Sequence, residues 1–590
     1  MGTLKLLQKT LKKHAIGATI IPSTDPHGSE YVAEHWQGRK HFSQFTGSAG
    51  TLVATQTEAA LWTDSRYYLQ AAEELKPQGI ELMKDGMSET PTIIEWIEEK
   101  LPKGSVVSLC PELFSIAEFD TITAFLAKKE IKVSSTVDII NEAWKGRPER
   151  PTTKIFNFNR TSGKSSKDKI SWLRDEISKH ELDGFVLTTL DDIAWLLNIR
   201  GRDIDYNPLV ISYLYLTQTD LFFFVDSRKV DREIADYFQQ IGIKIKPYEE
   251  FFRFLSATQE QKIGVDFRYA NFAIIQAIGV EKAINYTSPV ALAKSQKNRV
   301  ELMGFRRAMI KDGVALVKLN MWIEESMKNG EPLTELSVSK KLHDFRAIDS
   351  DFICDSFETI SAYGSHSAIV HYEPTEHSDI HLKNTRILLL DSGGHYYCGT
   401  TDITRTLPLG PITPLQKHDY TLVLKGVIAL SAARFPQGTR GSQLDVLARQ
   451  FLWQDSKNFG HGTGHGVGHC LCVHEGPQSI RMQENPQPLL SNMIISNEPA
   501  IYYTNRFGIR LENLIAVRPS KHKNNNFGKF FEFETLTLYP FDKRCIDKKL
   551  LSPSEIQWID DYHNMCYEKL SPHLSNSERK WLKARTQPIK

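Results

Sequence analysis

Apolar positions in the first half of the chain fall in short runs. Stretches such as "ATIIPS" and "GTLVAT" read as strands, and they alternate with segments such as "RYYLQAAEEL" whose apolar residues recur at helical spacing. The alternation predicts an α/β domain. It stops at residues 144–154, "WKGRPERPTTK", where two prolines and a basic cluster break the periodicity and read as a linker. A second α/β block follows, to about residue 288. Its most apolar run, "PLVISYLYLTQTDLFFFVD", is interrupted by "TQTD", which predicts two strands and a turn instead of a membrane span.

The two blocks resemble each other. "LWTDSRYYLQAAEEL" carries Asp64, Ser65 and Arg66 after an apolar strand, and "LFFFVDSRKVDREI" carries Asp226, Ser227 and Arg228 in the same setting. Each unit lies downstream of a glycine-bearing loop, "FTGSAGT" in one and "NIRGRDI" in the other, so a duplicated domain is expected. The aspartate of each triplet reads as a helix cap in preference to a catalytic group.

From residue 297 the pattern changes. "KNRVELMGFRRAMIKDGVALVKLNMWIEESM" predicts one long amphipathic helix. Beyond it, "RILLLDSGGHYYCGTTDITRTLPLG" reads as two strands joined by a turn, with Asp391 and Asp402 returned across the ladder toward one point. "NMIISNEPAIYY" ends a strand at Glu498, and "RFGIRLENLIAV" places Glu512 in the next strand.

Composition limits the chemistry. A chain of 590 residues, 41% hydrophobic and 24% charged, should form several domains with ordinary cores. Lys and Arg number 72 against 71 Asp and Glu, so no global field favours nucleic acid or an anionic membrane. The seven cysteines include no C-x-x-C pair and read as reduced thiols. The opening "MGTLKLLQKTLKKHAIG" lacks the apolar run of a signal peptide, and Leu6 replaces the Ser or Thr of a myristoylation signal. A cytoplasmic protein is expected, which makes the sequons at Asn159 and Asn285 chance matches.

The densest chemistry is "FGHGTGHGVGHCLCVHEGP", which threads His461, His465, His469 and His474 through glycines. Four carboxylates set among Ile, Leu, Val and Tyr cannot all stay charged in a core without cations. Arg405, Arg506 and Arg510 could pair with them, but metal ions account for more of the pattern. One imidazole among oxygen donors suits Mn²⁺, Co²⁺ or Fe²⁺ and tolerates Zn²⁺, whereas a structural zinc site would use more Cys and His. Four carboxylates are too many for one divalent ion and suit two ions about 3.5 to 4 Å apart sharing bridging ligands. The loop is not a phosphate loop, because the Lys-Ser/Thr ending is absent.

In order, "LDSGGHYYCGTTDITRT", "GHGTGHGVGHCLCVHEGP", "ISNEPAIYY" and "FGIRLEN" resemble the metal-binding signature of the pita-bread metallopeptidases, specifically the aminopeptidase P family. "FTGSAGTLV", "LWTDSRYYLQA", "DDIAWLLNIRGRDIDYNPL" and "KNRVELMGFRRAMIKDGVAL" extend the resemblance to the long, three-domain form. It implies an α/β (α+β) fold with a creatinase-like domain at 1–148, a second at 149–292, and a pita-bread catalytic domain with a C-terminal extension at 293–590.

The resemblance also implies roles. Asp391 would bind one ion, Asp402 and Glu512 would bridge both, and His465 with Glu498 would complete the other's shell. A bridging hydroxide would attack the scissile carbonyl, with Glu498 as acid/base helper. His474 would hydrogen-bond the oxyanion, His371 and His461 would line the pocket and relay protons, and Arg510 would orient the carboxylates. The two ions are expected to be Mn²⁺, with Co²⁺ or Zn²⁺ as alternatives. The implied activity removes the first residue of peptides with proline second, in a homodimer with no nucleic-acid or membrane partner. A prolidase acting on dipeptides and a non-catalytic peptide-binding scaffold are the alternatives.

Arg66 is a candidate for closing the pocket, and "LLSPSEIQWIDDYHNMCYEKL" resembles a segment used in dimer packing. Three departures stand out: Ser365-His366-Ser367 where Pro, a variable residue and Gly are more usual, Cys398 where Asp is common, and Ala500 where Gly is usual. His366 and His469 fall outside the family positions and read as structural or solvated, and Cys470 and Cys472 as packing residues on one face of a strand.

Overall fold

The computed structural model describes residues 2–522 and 525–589. They divide into two compact units. One is built from the chain up to Asn159, Lys164–Asp205 and Leu209–Val290, the other from Arg160–Gly163, Tyr206–Pro208 and the chain from Ala291.

The first unit holds two six-stranded sheets. Strands β1 (Ala18–Pro22), β2 (Thr51–Thr55), β3 (Ala59–Thr63), β4 (Glu81–Lys84), β5 (Val106–Ser108) and β6 (Lys132–Ser134) lie in the order β4-β3-β2-β1-β5-β6. Strands β7 (Gly184–Leu187), β8 (Ser212–Thr217), β9 (Leu221–Val225), β10 (Lys244–Lys246), β11 (Ile263–Val265) and β12 (Ala283–Asn285) lie in the order β10-β9-β8-β7-β11-β12. The second sheet repeats the first strand for strand. In each the first three strands run antiparallel to one another and the remaining pairs are parallel. The duplication expected from the paired triplets is therefore a repeat of topology as well as of motif.

The triplet aspartates do cap, but they close tight turns. Asp64 accepts the Arg66 amide at 3.0 Å and Asp226 accepts that of Arg228 at 2.9 Å, and the latter opens a 3-10 turn, Ser227–Lys229. The helix Tyr68–Leu75 begins later, without a side-chain cap. The apolar run at 208–226 folds into the β8–β9 hairpin, and among the described residues no helix is long and apolar enough to cross a membrane.

In the second unit the predicted long helix spans Arg299–Asn329. Asn298 caps it by accepting the amides of Val300 and Glu301, while Glu301 accepts the Asn298 amide in return. Three-stranded sheets form from β13 (Phe352–Asp355) with β16 (Gly394–Tyr396) and β17 (Gly399–Thr400), and from β14 (Ile360–Tyr363), β15 (Ile387–Ser392) and β18 (Ile403–Pro408). The larger sheet has six strands: β19 (Arg434–Pro436), β20 (Gly464–Gly466), β21 (Glu475–Ile480), β22 (Ile494–Asn497), β25 (Asn513–Pro519) and β26 (Phe530–Thr535), ordered β19-β26-β25-β22-β20-β21. A ribbon of β23 (Ala500–Tyr503) and β24 (Phe507–Arg510) stands beside it in sequence. The core joins Leu316 and Ile323 of the long helix to Leu390, Ile403 and Leu514 of the strands.

Two local expectations change. Glu512 lies in no strand: β24 pairs with β23 and β25 with β22, so the chain switches sheets at 511–512 and leaves Glu512 in the link. Cys470 and Cys472 are not on a strand either, since Cys470 has a φ of 52° and the segment bends back on itself.

Candidate metal centre

Different elements present each acidic candidate. Asp391 lies on β15, the middle strand of its sheet, opposite Thr404 on β18 and Ile360 on β14. Asp402 immediately precedes β18, His465 is the middle residue of β20, and Glu498 directly follows β22. Glycine allows this closeness: a Cβ on Gly464, next to His465, would stand 1.8 Å from the Ser496 carbonyl oxygen.

Asp402, His465 and Glu512 each offer a ligand atom within 4.8 Å of the others. His465 Nε2 is 3.5 Å from Asp402 Oδ2 and 3.5 Å from Glu498 Oε1. Its Nδ1 lies 2.8 Å from the Gly466 carbonyl oxygen, which demands a donor there and leaves Nε2 with a free lone pair in the neutral ring. Ser496 supports the group twice, its Oγ accepting the His465 amide and donating to Glu498 Oε1, both at 3.0 Å. Thr404 Oγ1 donates to Glu512 Oε2 at 2.9 Å. Arg510 donates to Asp391 Oδ2 through Nε at 3.1 Å and Nη2 at 2.7 Å, whereas buried Asp391 Oδ1 accepts no hydrogen bond.

Charge is in deficit here. Burial pushes the Asp391 carboxyl up to about 6 against the pull of Arg510, with Asp402 adding to the rise. Burial likewise lifts Glu498 to about 7, opposed by His465, and carries Glu512 well above the carboxylate range with help from Asp402 and Asp391. Burial alone would lower His465, but Asp402 and Glu498 raise it to about 9.

An ion-paired sheet does not describe the arrangement. Arg405 is spent on the carbonyls of Thr404, Glu512 and Tyr539 and on Asn513 Oδ1, and Arg506 lies over the Tyr503 and Phe507 rings. Of the three candidate arginines, Arg510 alone reaches one of the four acids. The orphaned Asp391 oxygen and an oxygen-rich donor set with one imidazole fit divalent cations.

The other candidates surround this group. His474 packs its ring edge-on to His465, centroids 4.2 Å apart. His461 donates through Nδ1 to the Gly462 carbonyl at 2.7 Å, so its Nε2 accepts from Tyr502 Oη at 2.9 Å. Arg510 Nη1 donates to the same Oη at 2.5 Å, which makes a chain His461–Tyr502–Arg510–Asp391. His371 is half-buried in the turn after the 3-10 segment Gly364–Ala368, beside Tyr372, which donates to Glu335 at 2.8 Å. Arg66 belongs to the first unit, where it pairs with Asp64 at 2.7 Å.

Tyr502, Ser496 and Thr404 escaped the sequence reading. The first two flank Glu498 in "ISNEPAIYY", but nothing in the motif says which side chain an arginine or histidine will reach.

The departures are accommodated. Ser367 Oγ accepts the Gly508 amide at 2.7 Å, docking the Ser365-His366-Ser367 stretch onto β24, which carries Arg510. His366 pairs with Glu335 at 3.0 Å, and His469 donates through Nε2 to the Cys398 carbonyl at 2.9 Å. The Cys398 thiol is buried and pushed up to about 11, and Ala500 is fully buried opposite Arg510.

Known proteins share this organisation. Residues 304–519 match metallopeptidase family M24, and residues 529–589 match the C-terminal region of that peptidase. Residues 4–142 and 146–301 each match a creatinase/prolidase N-terminal domain. A probable Xaa-Pro aminopeptidase P of Laccaria bicolor is 38% identical over 601 residues, 99% of this chain and 93% of its own. Xaa-Pro aminopeptidase 1 of Dictyostelium discoideum is 37% identical over 99% of this chain and 96% of its own. The crystal structure of X-prolyl aminopeptidase from Caenorhabditis elegans, described as a cytosolic enzyme with a di-nuclear active site, superposes with a TM-score of 0.96 at 34% identity over 100% of both chains. An Xaa-Pro dipeptidase from Bacillus anthracis shares the fold over 64% of this chain, with a TM-score of 0.51 at 23% identity.

Proposed function

The chain belongs to metallopeptidase family M24, in the full-length form of the aminopeptidase P proteins, and from that premise we propose that it is a dinuclear Xaa-Pro aminopeptidase. It releases the N-terminal residue from peptides with proline second. The observation that carries the reading is Asp402, Glu498 and Glu512 gathered about His465, with buried Asp391 held by Arg510 beside them, in a chain similar to aminopeptidases over its whole length. The organisation we propose is two creatinase-like domains, 1–148 and 149–292, and a catalytic domain at 293–590.

Asp391, Asp402, His465, Glu498 and Glu512 would hold two divalent cations, and the oxygen-rich donor set makes Mn²⁺ our choice over Co²⁺ or Zn²⁺. When bound, the ions would polarise the scissile carbonyl and lower the pKa of a water nucleophile. Arg510 keeps Asp391 oriented with one oxygen unengaged. Glu498, oriented by Ser496 and lifted toward neutral pH, suits taking a proton and returning it to the departing proline nitrogen. His474 would donate to the developing oxyanion. His461, tied through Tyr502 to Arg510, would line the pocket together with His371 and relay protons. A tertiary X-Pro amide has no N–H to satisfy, so the pocket needs faces rather than acceptors at that point.

A cytoplasmic setting is supported by the cytosolic description of the C. elegans protein. A homodimer completes the proposal.

The test follows N-terminal residue release from an X-Pro-Pro-extended peptide and from an X-Pro dipeptide, after chelation and again after Mn²⁺ is restored. Metal-restored cleavage of the longer peptide is expected. Activity on the dipeptide alone would make the chain a prolidase, and silence on both with metal bound would make it a scaffold.

A further inference from the structure

Behind the glycine-rich loop lies a buried charge cluster outside the metal group. Glu475 has no exposed side-chain surface, and Lys297, equally enclosed, donates from Nζ to its Oε1 and to the Lys294 carbonyl at 3.0 Å. Lys294 Nζ, 3% exposed, stands 3.6 Å from Glu475 Oε2. Burying three charged side chains is costly unless their geometry is held, so the cluster has to be accounted for.

Its position supplies the reason. Glu475 opens β21 and directly follows His474, the last residue of the bend that leads into the strand, so whatever anchors Glu475 anchors the backbone that carries the imidazole. The ladder between β20 and β21 is broken at this point: Gly464 pairs with Ile480 and His465 with Ser479, but Gly466 pairs with Glu475. Residues 476–478 are looped out between the last two pairings. Glu475 is thus the single pairing point on the His474 side of the break, where a ladder is free to slip.

Lys297 fixes that point from the link that leads into the long helix. It sits one residue before the cap of the long helix Arg299–Asn329, and its own amide is tied to the Asn492 carbonyl at 3.1 Å. Glycines seat the loop against the carboxylate: a Cβ on Gly468 would come within 2.9 Å of Glu475 Oε2, and one on Gly466 within 2.1 Å of the Glu475 carbonyl oxygen. We propose that Lys297 and Glu475 are positioning residues for His474, an ion pair that sets the direction of its ring against His465. The inference rests on the proposed oxyanion role of His474.

The test is a double-mutant cycle on the Mn²⁺-loaded full chain, reading kcat and KM for an X-Pro-Pro-extended peptide together with bound metal. Lys297→Met should lower kcat about 10- to 100-fold, the range for groups that orient active-site residues, with KM and two bound ions unchanged. In a His474→Ala background the same change should add nothing. Glu475→Asp, which keeps the charge but withdraws the carboxylate by one methylene, should behave alike and serves where Lys297→Met misfolds. Losses that multiply in the His474→Ala background, or an unchanged kcat for both variants, would overturn the proposal. If His474→Ala itself leaves kcat intact, the oxyanion reading falls and this inference with it, an outcome distinct from the failure of Lys297 alone.

Discussion

Reluctant carboxylates and a basic imidazole make the metal-free site a store of protons. Asp391, Glu498 and Glu512 are lifted above their ordinary values and His465 is lifted to about 9. Between about pH 4 and pH 9 these four groups therefore bind more protons in the folded metal-free chain than in the unfolded one, and what they contribute to stability falls as pH rises. Cations take the place of those protons and remove the slope. The Tm gain on saturation with Mn²⁺ should be larger at pH 8 than at pH 5.5, and calorimetry in buffers of different ionisation enthalpy should show net proton release. Equal gains without release would refute the proton store. His563 works with the opposite sign. Buried, with Nε2 accepting the Phe541 amide at 3.1 Å, it is pushed down to about 3. The unfolded imidazole takes up a proton near its ordinary pKa and the folded one does not, so stability is lost as pH falls from 6.5 toward 3, by at most about 1.4 kcal/mol per pH unit. His563→Gln keeps an acceptor without the titration, and denaturant midpoints of the metal-loaded variant should fall less steeply with acid than those of the parent.

At the scale of elements, the centre depends on how closely β20 approaches β22. Gly464→Ala would drive a methyl into the Ser496 carbonyl, where any side chain stands 1.8 Å away. Overpacking of this kind costs about 1–3 kcal/mol, and because His465 and Ser496 move with it, metal affinity should fall further than the Tm shift suggests. Metal titration beside a melting curve checks this, and loss of stability with affinity intact would count against it. The strands around Asp391, Asp402 and Glu498 were legible in the sequence because each is a local apolar run ending at a polar residue. The link at Glu512 was not, since "RFGIRLENLIAV" keeps a strand-like pattern while the chain changes sheets. Nor was the Lys297–Glu475 pair, whose partners are 178 residues apart and leave no periodic trace.

For the whole molecule, the repeat in the first unit could be read because two copies carry the same triplets, whereas the place of the C-terminal helices depends on packing that no local pattern encodes. The tail resembles a dimer-packing segment, yet its apolar face belongs to the catalytic unit's own core. Leu570 and Leu582 are fully buried in the cluster that holds Leu316, Leu390 and Ile403, and Tyr562 Oη accepts from Arg405 at 2.9 Å. The packing at Leu570 is close: a Cβ on Gly313 of the long helix would stand 2.7 Å from its Cδ2, so the helix is seated almost backbone-to-side-chain and cannot easily move in to refill a cavity. Leu570→Ala should therefore cost about 2–5 kcal/mol, the range for emptied leucine sites, and lower the Tm. Sedimentation separates this from a role at an interface. A core role leaves the association state of the folded variant equal to the parent's while Tm falls, whereas a variant that keeps its Tm and loses half its mass would assign Leu570 to the dimer contact instead.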